Sequence, residues 1–146
     1  MYRTILVPFD GSAGAWQALR TALRLAREAS AALTLLSVEE RLPHFAAAVG
    51  EVEEEKELEN HYFARVQQEA VALARAHGVE PATAIRAGPA AHVIVRYAEE
   101  QGCDLIVIGA SGHSGVWGRL LGATTDRVVD HAPCDVLVAR AAHALA

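Results

Sequence analysis

Hydrophobic positions along this chain fall into short continuous runs that alternate with longer stretches of helical spacing. The runs end at Gly, Pro or acidic residues, a pattern typical of strands buried on both faces of a parallel sheet. They predict five strands, at 4–8, 32–38, 81–87, 105–108 and 135–139. Apolar residues spaced three and four apart predict four helices, at 13–29, from the acidic run at 51–59 to 77, at 89–101 and at 123–131. The alternation of strand and helix predicts an α/β fold, in which a parallel sheet carries helices on both faces.

The second predicted helix carries the charge imbalance of the chain. Residues 51–59 hold six Glu and one Lys, a net charge of -5 that equals the net charge of the whole chain. Acidic residues interact favourably with the dipole at a helix N-terminus, so we interpret this run as a solvated helix start. Helical spacing predicts an inward face made of Leu58, Tyr62, Val66, Ala70, Leu73 and His77, with Gly78 ending the helix.

Composition and charge limit the class of protein. With 146 residues, of which 52% are hydrophobic, we expect one globular domain over 1–146. The charges outside the acidic run sum to zero, so we expect no basic face for nucleic acid. The N-terminal segment lacks the pattern of a signal peptide, and no segment reaches the roughly 20 apolar residues that span a bilayer. Cys103 and Cys134 do not have the spacing of a metal or redox pair, which favours two buried thiols in a reducing cytoplasm.

The fourth predicted strand leads into a glycine-rich segment. Glycines stand at positions 109, 112, 115, 118 and 122, and a helical pattern resumes after the last of them. Glycine permits positive φ and lets the backbone approach a bulky ligand closely. A strand, a glycine-rich loop and a helix N-terminus in this order bring unpaired amides and the positive end of a helix dipole together, which predicts a phosphate site.

A second polar loop, Phe9-Asp10-Gly11-Ser12, follows the first predicted strand. In open parallel sheets, ligands bind at the carboxyl ends of the strands where the winding direction reverses. If the first and fourth strands are neighbours, the two loops form opposite walls of one cleft and Asp10 lies near the phosphates. A carboxylate is repelled there unless a divalent cation or a hydroxyl lies between. The alternative role of Asp10 is to cap the first helix together with Ser12.

Other phosphate and hydrolase motifs are excluded by their own requirements. A Walker loop needs Gly-Lys-Ser/Thr, whereas the only lysine is Lys56, inside the acidic run. No GxGxxG pattern follows the first strand, and the loop serines lack a Gly-x-Ser-x-Gly elbow. Asp10 is the only carboxylate that we expect near the cleft, and metal contact would occupy it, which argues against a fixed general base.

The glycine spacing is part of a longer resemblance. The pattern Gly109-x2-Gly112-x9-Gly122 is similar to the nucleotide-binding pattern of the universal stress protein family, and the segments ILVPFDGS, GCDLIVIGASGHSG and HAPCDVLVAR resemble that family as well. The resemblance extends over 2–140. It implies a single-domain, open parallel sheet of five strands in the order 3-2-1-4-5, which makes the first and fourth strands neighbours.

The resemblance also implies where the parts of ATP bind. It assigns the phosphates to Gly109, Gly112, Gly122, Ala123 and Thr124. It places Asp10 near the ribose or a divalent metal, Mg²⁺ or Mn²⁺, and Val38 near adenine. We expect the neighbouring residues of the two loops to complete the site, namely Pro8, Phe9, Ser111, His113 and Thr125. His113 either donates to a phosphate when protonated or is a solvated loop residue.

One position departs from the family pattern. The family has Ser or Thr directly after the last glycine, where this chain has Ala123, followed by Thr124 and Thr125. Losing one hydroxyl to a phosphate costs about 1.5 to 3 kcal/mol, or about one to two decades of affinity, unless one of these threonines replaces it. The backbone amide of Ala123 remains available.

The resemblance therefore implies a cytoplasmic stress protein that binds ATP and acts as a nucleotide-dependent regulatory module. Two alternatives stay open: a dimeric member of the family that binds no nucleotide, and a weak ATPase. In the implied strand order the last strand, with its apolar residues 136–139, lies at a sheet edge. We expect a homodimer formed through this strand, because pairing with a second copy covers an exposed apolar edge.

Overall fold

The computed structural model describes residues 1–40, 49–110 and 122–140. Its strands are β1 (Thr4–Pro8), β2 (Ala32–Glu39), β3 (Ala82–Ala87), β4 (Leu105–Gly109) and β5 (Asp135–Ala139). Its helices are α1 (Ala13–Ala29), α2 (Val49–Ala76), α3 (Ala90–Gln101) and α4 (Ala123–His131). All neighbouring strands are parallel and their order is β3-β2-β1-β4-β5, which confirms the predicted fold.

The central strands are buried on both faces because their side chains supply two separate cores. Ile5 and Val7 of β1 pack with α1 and α2 on one face of the sheet, in a cluster that includes Leu19 and Phe63. Leu6, between them, packs with α3 and α4 on the other face. This period of two explains why β1 and β4 appear in the sequence as uninterrupted apolar runs.

The inward face of α2 differs from the predicted one. Leu58 is 71% exposed, Tyr62 is 40% exposed, and His77 lies on the surface beyond the end of the helix. The residues that α2 buries are Phe63, Val66, Gln67, Ala70 and Ala74. The predicted and the observed inward faces share Val66 and Ala70. They differ because Phe63 packs in the core, and because Gln67 can be buried while its side-chain amide is hydrogen-bonded.

The start of β1 is fastened to the start of β4 by one carboxylate. Asp104 accepts hydrogen bonds from the backbone N–H groups of Arg3, at 2.9 and 3.2 Å, and Thr4, at 3.0 Å. These N–H groups stabilise the charged form, so they hold the pKa of Asp104 below its usual value. Among the described residues, no helix combines the length and apolar character needed to cross a membrane.

Candidate functional site

A cavity of about 550 Å³ opens at the carboxyl ends of β1, β2 and β4. β2 and β4 lie on opposite sides of β1, so this is the point where the winding of the sheet reverses. The predicted site residues that line the cavity are Pro8, Phe9, Asp10, Val38, Gly109, Gly122, Ala123, Thr124 and Thr125. Ser111, Gly112 and His113 lie outside the described residues, and the binding role of every residue in this set stays a prediction.

Asp10 shapes the turn between β1 and α1. Its Oδ1 accepts a hydrogen bond from the N–H of Ser12 at 2.9 Å, and Gly11 between them has φ of +81°. The N-cap of α1 is Ser12, whose Oγ accepts from the N–H of Ala15 at 3.2 Å. Asp10 is therefore held one turn before the helix and remains exposed at the cavity. Its structural role uses Oδ1, and its Oδ2 makes no hydrogen bond within the part of the chain that the structure describes.

The same turn is fixed from outside by β2 and α2. Ser37 Oγ donates to the carbonyl of Phe9 at 2.6 Å, and Tyr62 Oη donates to the carbonyl of Asp10 at 2.9 Å. Gln67 Nε2 donates both to Ser37 Oγ and to the carbonyl of Ala84, each at 2.9 Å. Sequence analysis missed these positioning residues. The available signal was Gln67, a polar residue within helical spacing of the buried positions of α2.

Gly109 is required by the packing of α1 against β4. A Cβ at this position would lie 2.7 Å from the carbonyl carbon and oxygen of Gly14, which are backbone atoms of α1. Neither Gly109 nor Gly122 has positive φ, since the φ of Gly122 is -70° and Gly109 is not among the positive-φ residues. At these two glycines the backbone therefore does not use the positive φ that glycine permits. What Gly109 needs is the absence of a side chain, because a helix backbone lies against it.

The N-terminus of α4 faces the cavity without a side-chain cap. Its N-cap is Gly122, which has no side chain to accept from the first amides of the helix. The N–H of Gly122 donates to the carbonyl of Ala110 at 2.8 Å, which ties the start of α4 to the end of β4. The amides of Ala123 and Thr124 then stand at the positive end of the helix dipole, where an anion is stabilised.

The two threonines that follow Ala123 have different environments. Thr125 is 4% exposed, and its hydroxyl donates to the carbonyl of Gly109 at 2.7 Å. Its single proton is therefore used within the fold. Thr124 is half-buried and lines the cavity. Of the two hydroxyls, that of Thr124 is the one left to donate to a ligand.

The opposite end of the cavity is acidic. Glu40, at the end of β2, and Glu59, on α2, line it together with Asp10, so the expectation that Asp10 is the only carboxylate near the cleft was wrong. Glu40 Oε1 accepts from the N–H of Ala90 at 3.0 Å. This contact caps α3, whose own N-cap Pro89 makes no side-chain hydrogen bond.

No group of three acidic, His or Cys side chains that could hold a metal is found within the described ranges 1–40, 49–110 and 122–140.

Comparison with known proteins agrees with this architecture. The Universal stress protein family matches residues 1–140. A universal stress protein of Methanocaldococcus jannaschii is 32% identical over 141 residues, covering 96% of this chain and 83% of the relative. The structure of the universal stress protein UspA from Lactobacillus plantarum superposes with a TM-score of 0.87 at 33% identity, covering 95% of this chain and 98% of that one.

A second solved structure, of a universal stress protein in complex with cAMP, has a TM-score of 0.74 at 26% identity and covers 99% of both chains. The family match over nearly the whole sequence and the relative at 32% identity together decide the assignment. The chain belongs to the universal stress protein family.

Proposed function

We propose that this protein binds ATP in the cleft between β1, β2 and β4 and acts as a nucleotide-dependent regulatory module of a cytoplasmic stress response. The observation that carries the proposal is the cavity itself, which joins the uncapped N-terminus of α4 to the ends of β1 and β2. A volume of about 550 Å³ is in the ordinary range of small-molecule sites. The related structure in complex with cAMP supports an adenine nucleotide as the ligand class.

The proposed orientation follows from charge. The phosphates bind the backbone amides of Ala123 and Thr124, because α4 begins at the cavity without a side-chain cap. The other two helices that begin there are capped, α1 by Ser12 and α3 by Glu40. Asp10 Oδ2 contacts the ribose or a Mg²⁺ or Mn²⁺ ion bound to the phosphates. The base lies toward Val38, at the β2 end.

Thermal stabilisation by ATP tests this function. With millimolar ATP and Mg²⁺ the melting temperature of the wild type should rise, since a ligand that binds only the folded state stabilises it by mass action. Ala123→Ser restores the hydroxyl of the family pattern and should raise the affinity by up to about tenfold. Gly122→Val should abolish the shift, because its side chain obstructs the entrance to the amides. If neither the wild type nor Ala123→Ser shows a shift, the proposal is wrong.

We also propose that the protein forms a homodimer through β5. This strand is at the edge of the sheet, and its residues Val136, Leu137 and Val138 are only half-buried. A second copy that pairs with β5 would satisfy the edge and cover these side chains. Light scattering at micromolar concentration should give twice the mass of one chain, and a strictly monomeric mass would rule the dimer out.

A further inference from the structure

The two ends of the cleft differ in the sign of their charge. The α4 end presents uncapped helix amides, whereas the β2 end holds the carboxylate of Glu40. β1 lies between β2 and β4, so the two ends are about two strand spacings apart, roughly 10 Å. A phosphate chain is attracted to the first end and repelled from the second. In a bound nucleotide the base therefore occupies the end where Glu40 lies.

The walls at this end suit the faces of a purine ring. Leu36 and Val38 of β2 and Ile94 of α3 line the cavity here with apolar side chains. Apolar walls bind the ring faces without distinguishing one purine from another. The polar edge of the ring needs partners of its own, because a buried polar group without a hydrogen bond is costly.

Glu40 is held in place to supply such a partner. Its Oε1 accepts from the N–H of Ala90 at 3.0 Å, which fixes the carboxylate between the end of β2 and the start of α3. Its Oε2 makes no hydrogen bond among the described residues. A carboxylate oxygen accepts hydrogen bonds but does not donate them. It therefore favours a base edge that carries an amino group and disfavours one that presents only a carbonyl.

Building on the proposed nucleotide site, we infer that Glu40 determines base specificity by accepting a hydrogen bond from the exocyclic amino group of the purine. Two purines carry such a group, adenine at its 6-position and guanine at its 2-position. Each has a counterpart that lacks only this group: purine riboside triphosphate lacks the 6-amino group of ATP, and ITP lacks the 2-amino group of GTP. The members of each pair share the same phosphates and ribose, so the difference in their affinities isolates the amino group.

The test compares ATP with purine riboside triphosphate, and GTP with ITP, in their binding to the wild type and to Glu40→Gln by calorimetry. Glutamine keeps an oxygen for the N–H of Ala90 and replaces the second oxygen by an NH₂ donor. The wild type should bind the counterpart of its tighter ligand at least about tenfold more weakly than that ligand, because a site built for a hydrogen bond rejects a ligand that lacks it. In Glu40→Gln the difference should fall to about threefold or less. The identity of the tighter ligand tells which amino group is read.

Glu100→Gln is the matched control. Glu100 is an exposed residue of α3 that pairs with Arg96 at 3.4 Å and does not line the cleft, so its substitution makes the same change of charge away from the site. This variant should keep the wild-type discrimination against the counterpart that lacks the amino group. If the wild type binds each nucleotide and its counterpart equally, or if Glu40→Gln discriminates like the wild type, Glu40 does not read the base although nucleotide binding stands. If the wild type binds none of them, the proposed function fails and this inference fails with it.

Discussion

Replacing Gly109 by Ala should destabilise the unliganded protein, although the backbone at this position would accept alanine. Without positive φ, exchange of glycine for alanine normally stabilises a fold by about 0.4 to 1 kcal/mol, because it reduces the freedom of the unfolded chain. At Gly109 the new Cβ would lie 2.7 Å from the carbonyl carbon and oxygen of Gly14 and 3.0 Å from its Cα. These backbone atoms belong to α1, so the contact can be relieved only by moving the helix away from β4.

The expected size of the effect follows from these opposing contributions. Inserting a methyl group into a closely packed site costs about 1 to 3 kcal/mol, which exceeds the gain in the unfolded state. We expect a net loss of about 1 to 2 kcal/mol, or a decrease of roughly 2 to 8 °C in the melting temperature of a domain of this size. Gly14 and Ala15 of α1 also line the cleft, so the same movement should weaken ATP binding.

Urea unfolding of the unliganded protein measures the loss of stability separately from the loss of ATP binding. Ala82→Gly is a suitable control, since Ala82 is an exposed residue of the edge strand β3. Exchanging alanine for glycine there changes the freedom of the unfolded backbone without changing the packing of the core. It should cost about 0.5 to 1 kcal/mol. A Gly109→Ala protein that is as stable as the wild type, but has lost ATP binding, would refute the packing argument and return Gly109 to a purely ligand-binding role.

Three further predictions concern other described residues. Tyr62→Phe removes the donor to the carbonyl of Asp10 and should weaken ATP binding about threefold to tenfold in calorimetry, whereas Tyr97→Phe, away from the cleft, should not. Asp104→Asn should lower the free energy of unfolding at pH 7 by about 1 kcal/mol. Because the folded pKa of Asp104 lies below the unfolded value of about 3.9, this difference should persist above pH 4 and shrink as the pH falls through the folded pKa; a difference that is constant in urea titrations down to pH 2 would contradict it. Burial raises the pKa of Cys103 to about 11, so alkylation of the native protein at pH 8 should be slow at this thiol and fast after unfolding, and rapid native labelling would contradict its burial.

The sheet was predictable because its central strands are buried on both faces. β1 and β5 coincide with the predicted runs at 4–8 and 135–139, and β2 and β4 each extend one residue further than predicted. Strands of this kind can be located without knowing their neighbours in the sheet, since their apolar residues are contiguous in the sequence. The strand order came from the resemblance to the family, because contiguity alone does not say which strands are neighbours.

The inward face of α2 was harder to predict, for a physical reason. Tyr62 and Phe63 are adjacent, and either could begin a stripe that continues through Val66 and Ala70. The structure buries Phe63 and leaves the Tyr62 ring at the surface, where its hydroxyl reaches the carbonyl of Asp10. Hydrophobic spacing does not distinguish these two arrangements, because a tyrosine at that position is compatible with a ring in the core and with a ring at the edge of the core.

The acidic end of the cleft illustrates a second limit. Glu40 belongs to a loop after β2 in the sequence, and Glu59 to an acidic run that is typical of a solvated helix start. Only the packing of α2 over the sheet and the position of α3 bring these carboxylates to the cavity that Asp10 lines. Charge counts along the chain treat both residues as surface charge, whereas the three-dimensional arrangement places them at a cavity.

The two ends of the cleft therefore differ in how strongly they depend on side chains. In the proposed nucleotide site the α4 end offers mainly backbone amides, which remain although Ala123 lacks the hydroxyl of the family pattern. Under this proposal the missing hydroxyl lowers the affinity by about one to two decades at most, and Thr124 is positioned to recover part of it. Amides contribute the same interaction to every triphosphate, so they cannot select the base. Under our proposal the β2 end selects the base, and there the carboxylate of Glu40 is fixed by a hydrogen bond from the N–H that starts α3.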